Sequence, residues 1–364
     1  MKIPFYDLAR LHASIRAELD EAIDEVLRTS RFVGGPFVTS FEEQFAAAHG
    51  APAAAGCGSG TDALALALRA LGVGPGDEVI VPSMTFVATA EAVRHVGATP
   101  VVADVDPSTL LLDELSVDAV RTPAARAVIP VHLYGHLVPF ELLQHWRESG
   151  LLVIEDAAQA HLAADGDSHV GSVSNAACFS FFPGKNLGGI GDGGLVLSHD
   201  ENLVAEIRRL RDHGRVEKFR HDVPGWCSRL DALNAAILSV KLRHLPEWTE
   251  QRRRLADRYS ERLGELLVPW RPGAVHHLLV VRVPSRTAVQ TRLAEQSIGT
   301  GIHYPIPLSR QPWLEGEAAP APNAETAANE VLSLPMDPML SLDEVDEVCD
   351  ALIAVLHSVS ARTT

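Results

Sequence analysis

The chain has 364 residues, 46% hydrophobic and 21% charged, with a formal net charge of -16. That length and balance fit a globular protein with one large domain and a smaller one. The acidic surface argues against nucleic acid and anionic lipid as partners, but leaves room for a small anion at a locally positive site. Cys57, Cys178, Cys227 and Cys349 are scattered, with neither metal-ligand spacing nor a disulfide framework. They point to a reducing cytoplasm. The opening MKIPFYDLAR lacks the apolar stretch of a signal peptide, and no apolar run is long enough to span a bilayer.

Residues 11–28 place Leu11, Ile15, Leu19, Ile23, Val26 and Leu27 at helical spacing. Gly34-Gly35-Pro36 ends that stretch, and Thr39 or Ser40 is expected to cap a helix reaching about Ala48. An alternating pattern follows. Strands are expected at 77–81, 99–103, 127–131, 151–154, 177–181 and 194–197, and helices at 61–71, 85–96 and 140–149. Near-continuous apolar strands alternating with helices imply a mostly parallel sheet sandwiched by helices, an α/β domain. After about Leu245 the pattern becomes α+β. A charged helix at 248–266 leads to a strand at 277–283 and helices at 288–296 and 342–356, with a surface loop at 316–323. The expected division is a large domain at 1–245 and a small one at 246–364.

Three segments carry candidate chemistry. Gly56-Cys57-Gly58-Ser59-Gly60-Thr61 precedes a helix, so small residues and a helix N-terminus could cradle a phosphate. A tight turn without ligand reads equally well. Leu151 to Ile154 runs into Glu155-Asp156, and ligands of open α/β sheets sit beyond the carboxyl ends of strands. As a carboxylate, Asp156 could there keep a pyridine nitrogen protonated, or merely cap the next helix. Phe179 to Asn186 presents Lys185 among small and apolar residues. A partly desolvated lysine can form a Schiff base, while a plain loop lysine is the bland alternative. The order of cradle, strand-end acid and lysine is the order that a pyridoxal phosphate enzyme requires.

Five motifs occur in register: Gly60 to Leu64, Pro82 to Phe86, Glu155 to Gln159, Phe179 to Asn186 and Gly301 to Pro305. Together they resemble the sugar aminotransferases of the DegT/DnrJ/EryC1/StrS family, of fold type I, over nearly the whole chain. The resemblance implies pyridoxal 5'-phosphate as cofactor, with a pyridoxamine form between half-reactions. Lys185 would hold the cofactor and shuttle the proton, and Asp156 would pair with the ring nitrogen. Gln159 would bond the ring hydroxyl. Gly60, Thr61 and Ser180 would hold the phosphate, and Phe86 would stack on the ring. His303 and Tyr304 would face substrate. An amino acid, glutamate in relatives, would donate to a keto sugar on a nucleoside diphosphate, in a cytoplasmic homodimer. Relatives that dehydrate their sugar have His at the lysine place, so Lys185 favours transamination.

Phe182 to Gly188 with Gly191-Asp192-Gly193-Gly194 is closer to enzymes acting at carbon 3 of a dTDP-3-keto-6-deoxyhexose. Amination at carbon 4, or of another keto sugar or cyclitol, stays open. So do a pyridoxal phosphate-binding regulatory protein and a plain nucleotide-binding module. Arg215, Lys218 and Arg220 form a local basic cluster that could meet the diphosphate, or be a solvated loop. Two departures stand out. The family has Gly-x-Asn-x-Arg where this chain reads Gly225-Trp226-Cys227-Ser228-Arg229. Cys227 thus takes the place of an Asn that reaches the partner subunit's phosphate, and a thiol is the poorer donor. Ser309 stands where relatives often have His.

Overall fold

The structure is a computed structural model that describes residues 2–360. The apolar periodicity near the N-terminus makes two helices rather than one, α1 (Leu8–Ser14) and α2 (Arg16–Thr29). The break follows Ser14, whose hydroxyl donates back to the Leu11 carbonyl at 2.7 Å. Such local side-chain bonds compete with helix continuation. Helix α3 spans Pro36–Ala48 with Gly35 as its cap, so neither Thr39 nor Ser40 caps it. Proline suits a first turn, where its missing N–H has no acceptor to lose.

The large sheet follows in chain order: β1 (Ala53–Cys57), α4 (Gly60–Ala70), β2 (Glu78–Pro82), α5 (Ala88–His95), β3 (Thr99–Ala103), α6 (Glu114–Val120), β4 (Ala125–Val128), α7 (Phe140–Glu148) and β5 (Leu152–Asp156). A small hairpin, β6 (Ala164–Asp165) and β7 (Ser168–His169), precedes β8 (Ala176–Ser180), β9 (Gly194–Ser198) and α8 (Glu201–Leu210). The seven strands lie in the order β1-β9-β8-β5-β4-β2-β3. Strand β9 runs antiparallel to both neighbours, and the other pairings are parallel. Val79, Ile80 and Val81 are all fully buried, as expected of a strand covered on both faces. The expected helix at 85–96 begins only at Ala88, because residues 83–87 leave the sheet edge as a loop that feeds the site.

An exposed hairpin, β10 (Arg215–Glu217) and β11 (Arg220–His221), leads to α9 (Ala232–Leu263). The expected start at residue 248 is corrected: Asp231 caps α9, accepting from Asn234 N at 2.8 Å, and the helix passes through Pro246 without ending. Packing against α2, α3 and the last helix outweighs the lost backbone bond. The position between 245 and 246 therefore lies inside one helix. Beyond it come β12 (Leu279–Arg282), α10 (Arg286–Glu295), α11 (Pro322–Glu330), β13 (Val331–Leu334) and α12 (Leu342–Ser360). Their own apolar core takes in Leu255, Tyr259, Val281, Leu334 and Leu352, and also Ile3 from the N-terminus. Ile3 is bridged in parallel to Ile298. No helix among the described residues is long and apolar enough to cross a membrane.

Candidate active site

The carboxyl ends of β5 and β8, the turn after β1 and the loop after β2 converge on a cavity of about 460 Å³. Its walls include Gly60, Thr61, Phe86, Asp156, Gln159, Ser180, Lys185, His303 and Tyr304. A second, open groove between α2, α3 and α9 carries Glu18, Glu21, Asp24 and Glu25, with Arg28 and Arg243 paired to Glu25 and Glu18, so its net charge is negative.

Strand β5 delivers Asp156 to the cavity floor. Thr89 Oγ1 donates to its Oδ2 at 2.9 Å, and Ala158 N donates to Oδ1 at 3.2 Å. Burial pushes the Asp156 carboxyl above its usual range, opposed by these two donors and by the Lys185 charge. Thr85 Oγ1 lies 2.9 Å from Thr89 Oγ1, so the loop after β2 and α5 together support the acid. Beneath it the fully buried Glu155 accepts from His132 Nε2 at 2.7 Å and Gly171 N at 2.8 Å. This network fixes the end of β5.

Lys185 follows β8 in a loop, with its own N–H bonded to Phe182 O at 2.9 Å. Its side chain faces the cavity, and among the described residues no acceptor holds the amine. Burial lowers the lysine from 10.5 to about 8, with the Asp156 charge opposing the shift. Roughly a tenth of the amines are then neutral at pH 7, against less than a thousandth for an ordinary lysine.

Helix α4 begins at Gly60, with the Ser59 side chain accepting from Asp62 N at 3.1 Å. The first amides of a helix have no intrahelical acceptor and carry the positive end of its dipole. A methyl group on Gly60 would stand 2.7 Å from Ser180 Cβ, so glycine allows β8 and α4 to meet here. His161 Nε2 donates to Ser180 O at 3.0 Å, and burial holds that imidazole down to about 3, in its neutral form.

Opposite these groups, Phe86 is 53% exposed and shows its ring to the cavity. Gln159 Oε1 accepts from Tyr134 N at 2.6 Å, and its Nε2 donates to Tyr304 Oη at 3.1 Å. His303 bonds Ser333 Oγ at 2.9 Å through Nδ1, and burial holds it down to about 4.

The basic cluster does not join this cavity within the chain. Arg215 pairs with Asp212 at 2.5 Å, Arg220 with Asp222 at 2.9 Å, and Lys218 lies 5.2 Å above the Phe219 ring. Cys227 is exposed, and its sulfur accepts from Arg229 Nη2 at 3.2 Å. Ser228 is turned inward instead. Its hydroxyl accepts from Gly58 N at 2.9 Å and donates to Asp62 Oδ2 at 2.7 Å, tying this segment to the cradle. Ser309 Oγ donates to Glu325 at 3.1 Å and does not line the cavity.

Sequence reasoning missed several cavity groups. Thr85 sat inside a recognised motif without a role, and Phe5 precedes the first expected helix and was given none. Tyr6, His277 and Met336 gave no local signal, because distant segments bring them in, and neither did Thr89, which supports Asp156 from outside the lining.

A mostly parallel α/β sheet with a buried acid, a depressed lysine and a helix N-terminus at its strand ends defines a pyridoxal phosphate enzyme of the aminotransferase class. Residues 13–353 match the model of the DegT/DnrJ/EryC1/StrS aminotransferase family, and the chain belongs to that family. A pleiotropic regulatory protein of Geobacillus stearothermophilus is 43% identical over 97% of this chain and 98% of its own. The dTDP-3-amino-3,4,6-trideoxy-alpha-D-glucose transaminase of Streptomyces venezuelae is 43% identical over 96% of this chain and 95% of its own. The crystal structure of S. venezuelae DesV in complex with a ketimine intermediate aligns with a TM-score of 0.93 at 43% identity, over 96% of this chain and 97% of that one.

The protein is a pyridoxal phosphate-dependent aminotransferase. The cavity fits that cofactor on its own terms. The Gly60 amide and the Ser180 hydroxyl suit a phosphate, Asp156 suits a protonated pyridine, and the Lys185 amine stands free to condense with an aldehyde.

Proposed function

We propose that the enzyme moves an amino group from L-glutamate to a keto sugar on a nucleoside diphosphate, with dTDP-3-keto-6-deoxyhexose as acceptor and carbon 3 as the aminated position. The observation that carries this reading is the Lys185 amine, without a counter-ion contact among the described residues and depressed to about 8, in a cavity with Asp156. The Streptomyces venezuelae relative, similar over nearly its whole length, supports the choice of sugar class.

The bound cofactor supplies an electron sink for charge on the carbon beside the migrating nitrogen. Asp156 keeps the ring nitrogen protonated. Gln159, fixed by Tyr134 N, presents its amide to the ring hydroxyl. The first turn of α4 with Ser180 would bind the phosphate, and Phe86, which lines the same cavity, would stack on the ring. Lys185 holds the cofactor at rest. Its Nζ would serve as the acid-base group beside the reacting carbon, taking the proton from the donor α-carbon and giving it up again, with the same role in the opposite sense in the sugar half. His303 and Tyr304 flank the sugar.

The active unit in this reading is a homodimer in the cytoplasm, with residues 1–245 as the large part and 246–364 as the small. Arg215, Lys218 and Arg220 would reach the partner's cavity and meet the diphosphate, and Cys227 would lie near its phosphate site. The exposure of Phe219, 88%, at the tip of that hairpin supports a covered position in an assembly.

The regulatory name of the Geobacillus relative favours a second reading, in which the same site senses rather than turns over. Incubation with glutamate and candidate keto sugars decides. Stoichiometric conversion to the pyridoxamine form, followed by nitrogen at carbon 3 of the sugar, is expected. A cofactor converted by another amino acid but not by glutamate would refute glutamate as donor, one that no amino acid converts would favour the sensing reading, and nitrogen at carbon 4 would refute the regiochemistry.

A further inference from the structure

Lys241 lies on α9 and is 2% exposed. Its Nζ donates to Gly188 O at 2.6 Å and to His12 Nε2 at 2.8 Å. Among the described residues no carboxylate pairs with it. An amine so placed gives up most of its hydration without gaining a counter-ion, and an apolar side chain of similar length would fill the space at lower cost. The two hydrogen bonds therefore need a reason.

Gly188 belongs to the loop that presents Lys185. After the lysine, Gly189 N returns to Phe181 O at 2.8 Å, Ile190 N bonds Asn234 Oδ1 at 3.1 Å, and Asn234 Nδ2 reaches Asp192 O at 2.9 Å. Asn234 lies about two turns before Lys241 on the same helix. Helix α9 thus grips the loop at three points, and the Lys241 contact is the one nearest Lys185 in sequence. The second acceptor, His12, lies on α1, which follows directly from the segment whose Phe5 and Tyr6 line the cavity. Burial and the Lys241 charge both depress His12, which keeps Nε2 an acceptor.

We propose that Lys241 is a positioning residue of the transamination site: donating at once to Gly188 O and His12 Nε2, it ties the Lys185 loop to the N-terminal segment and so sets where the Lys185 amine stands. The proposal rests on the reading of Lys185 as the cofactor lysine. It assigns Lys241 no contact with cofactor or substrate.

The test uses the full-length chain with added pyridoxal phosphate, trapped at intervals with borohydride, which fixes cofactor held as a Schiff base. Wild type, Lys241→Met, Lys241→Arg and Lys185→Ala are compared, with thermal melting of each. Lys241→Met is expected to melt cooperatively and to fix cofactor at least about tenfold more slowly, with Lys241→Arg recovering to within about threefold. Its glutamate half-reaction should lose kcat while KM stays within about twofold. Fixation by Lys241→Met at the wild-type rate overturns the proposal, and so does an Arg variant as slow as the Met one. If Lys241→Met does not fold, His12→Leu decides: slowing of about threefold or more supports the tie, and an unchanged rate overturns it. Failure of wild type to fix cofactor, or equal fixation by Lys185→Ala, would instead defeat the reading of Lys185.

Discussion

Thr89 Oγ1 donates to Asp156 Oδ2 at 2.9 Å, so a helix residue from the far side of the loop after β2 holds the acid at the end of β5. A bond to the ionised form lowers a carboxyl's pKa. Burial already raises Asp156, and Thr89 is one of the two hydrogen-bond donors opposing it. Thr89→Val should therefore raise it further and leave less carboxylate for the ring nitrogen. The glutamate half-reaction is expected to slow about tenfold, the worth of one charge-assisted bond. The acidic limb of its pH profile should move to higher pH. Stopped-flow rates across pH check both, and an unmoved limb would remove Thr89 from the mechanism.

Lys185 has a consequence for the cofactor-free protein. Its amine falls from 10.5 to about 8 on folding. Below about pH 8 it is protonated in both states and the folded state bears the burial cost. Above about 10.5 it is neutral in both and the cost is gone. Stability attributable to this group is thus present above the unfolded value and lost as pH falls through the folded one. Lys185→Met should stabilise the cofactor-free protein at pH 7 by on the order of 3 kcal/mol, and the gain should shrink between about pH 8 and 10.5. Denaturant midpoints at several pH values measure it.

Gly60→Ala tests the cradle. The added methyl would stand 2.7 Å from Ser180 Cβ, closer than such atoms pack, so α4 or β8 must shift. Affinity for pyridoxal phosphate is expected to fall at least about tenfold, roughly 1.4 kcal/mol, by titration of the cofactor-free protein. An unchanged affinity would make this segment a turn and nothing more.

The hairpin that carries Lys218 and Arg220 tests the shared site. Lys218→Glu with Arg220→Glu should raise KM for the nucleotide sugar about tenfold, more at low salt, while the glutamate half-reaction stays unchanged. Equal loss in both half-reactions would mean damage to the fold rather than to diphosphate binding.

Much of the site was legible because its parts are local. A strand running into Asp156, small residues ahead of α4 and the stretch around Lys185 each show in a few consecutive residues, and their order gave the cofactor. The α/β alternation was legible for the same reason, since parallel strands covered on both faces read as apolar runs. What escaped depends on contacts between distant segments. Thr89 reaches Asp156 across the sheet ends, His161 supports Ser180 from another loop, and Lys241 meets His12 from α9, far along the chain. The extent of α9 escaped because Pro246 is a local breaker that tertiary packing overrides. The antiparallel direction of β9 escaped because its apolar run looks like that of its parallel neighbours.

Lys185 is expected to be the residue that holds the cofactor. The chain has only four lysines, Lys2, Lys185, Lys218 and Lys241, so peptide mapping after borohydride reduction of the pyridoxal phosphate-loaded protein gives an unambiguous answer. The expected result is one reduced pyridoxyl group per chain, on Lys185, and none when the protein is first converted by glutamate. A label on any of the other three, or none at all, would contradict the account.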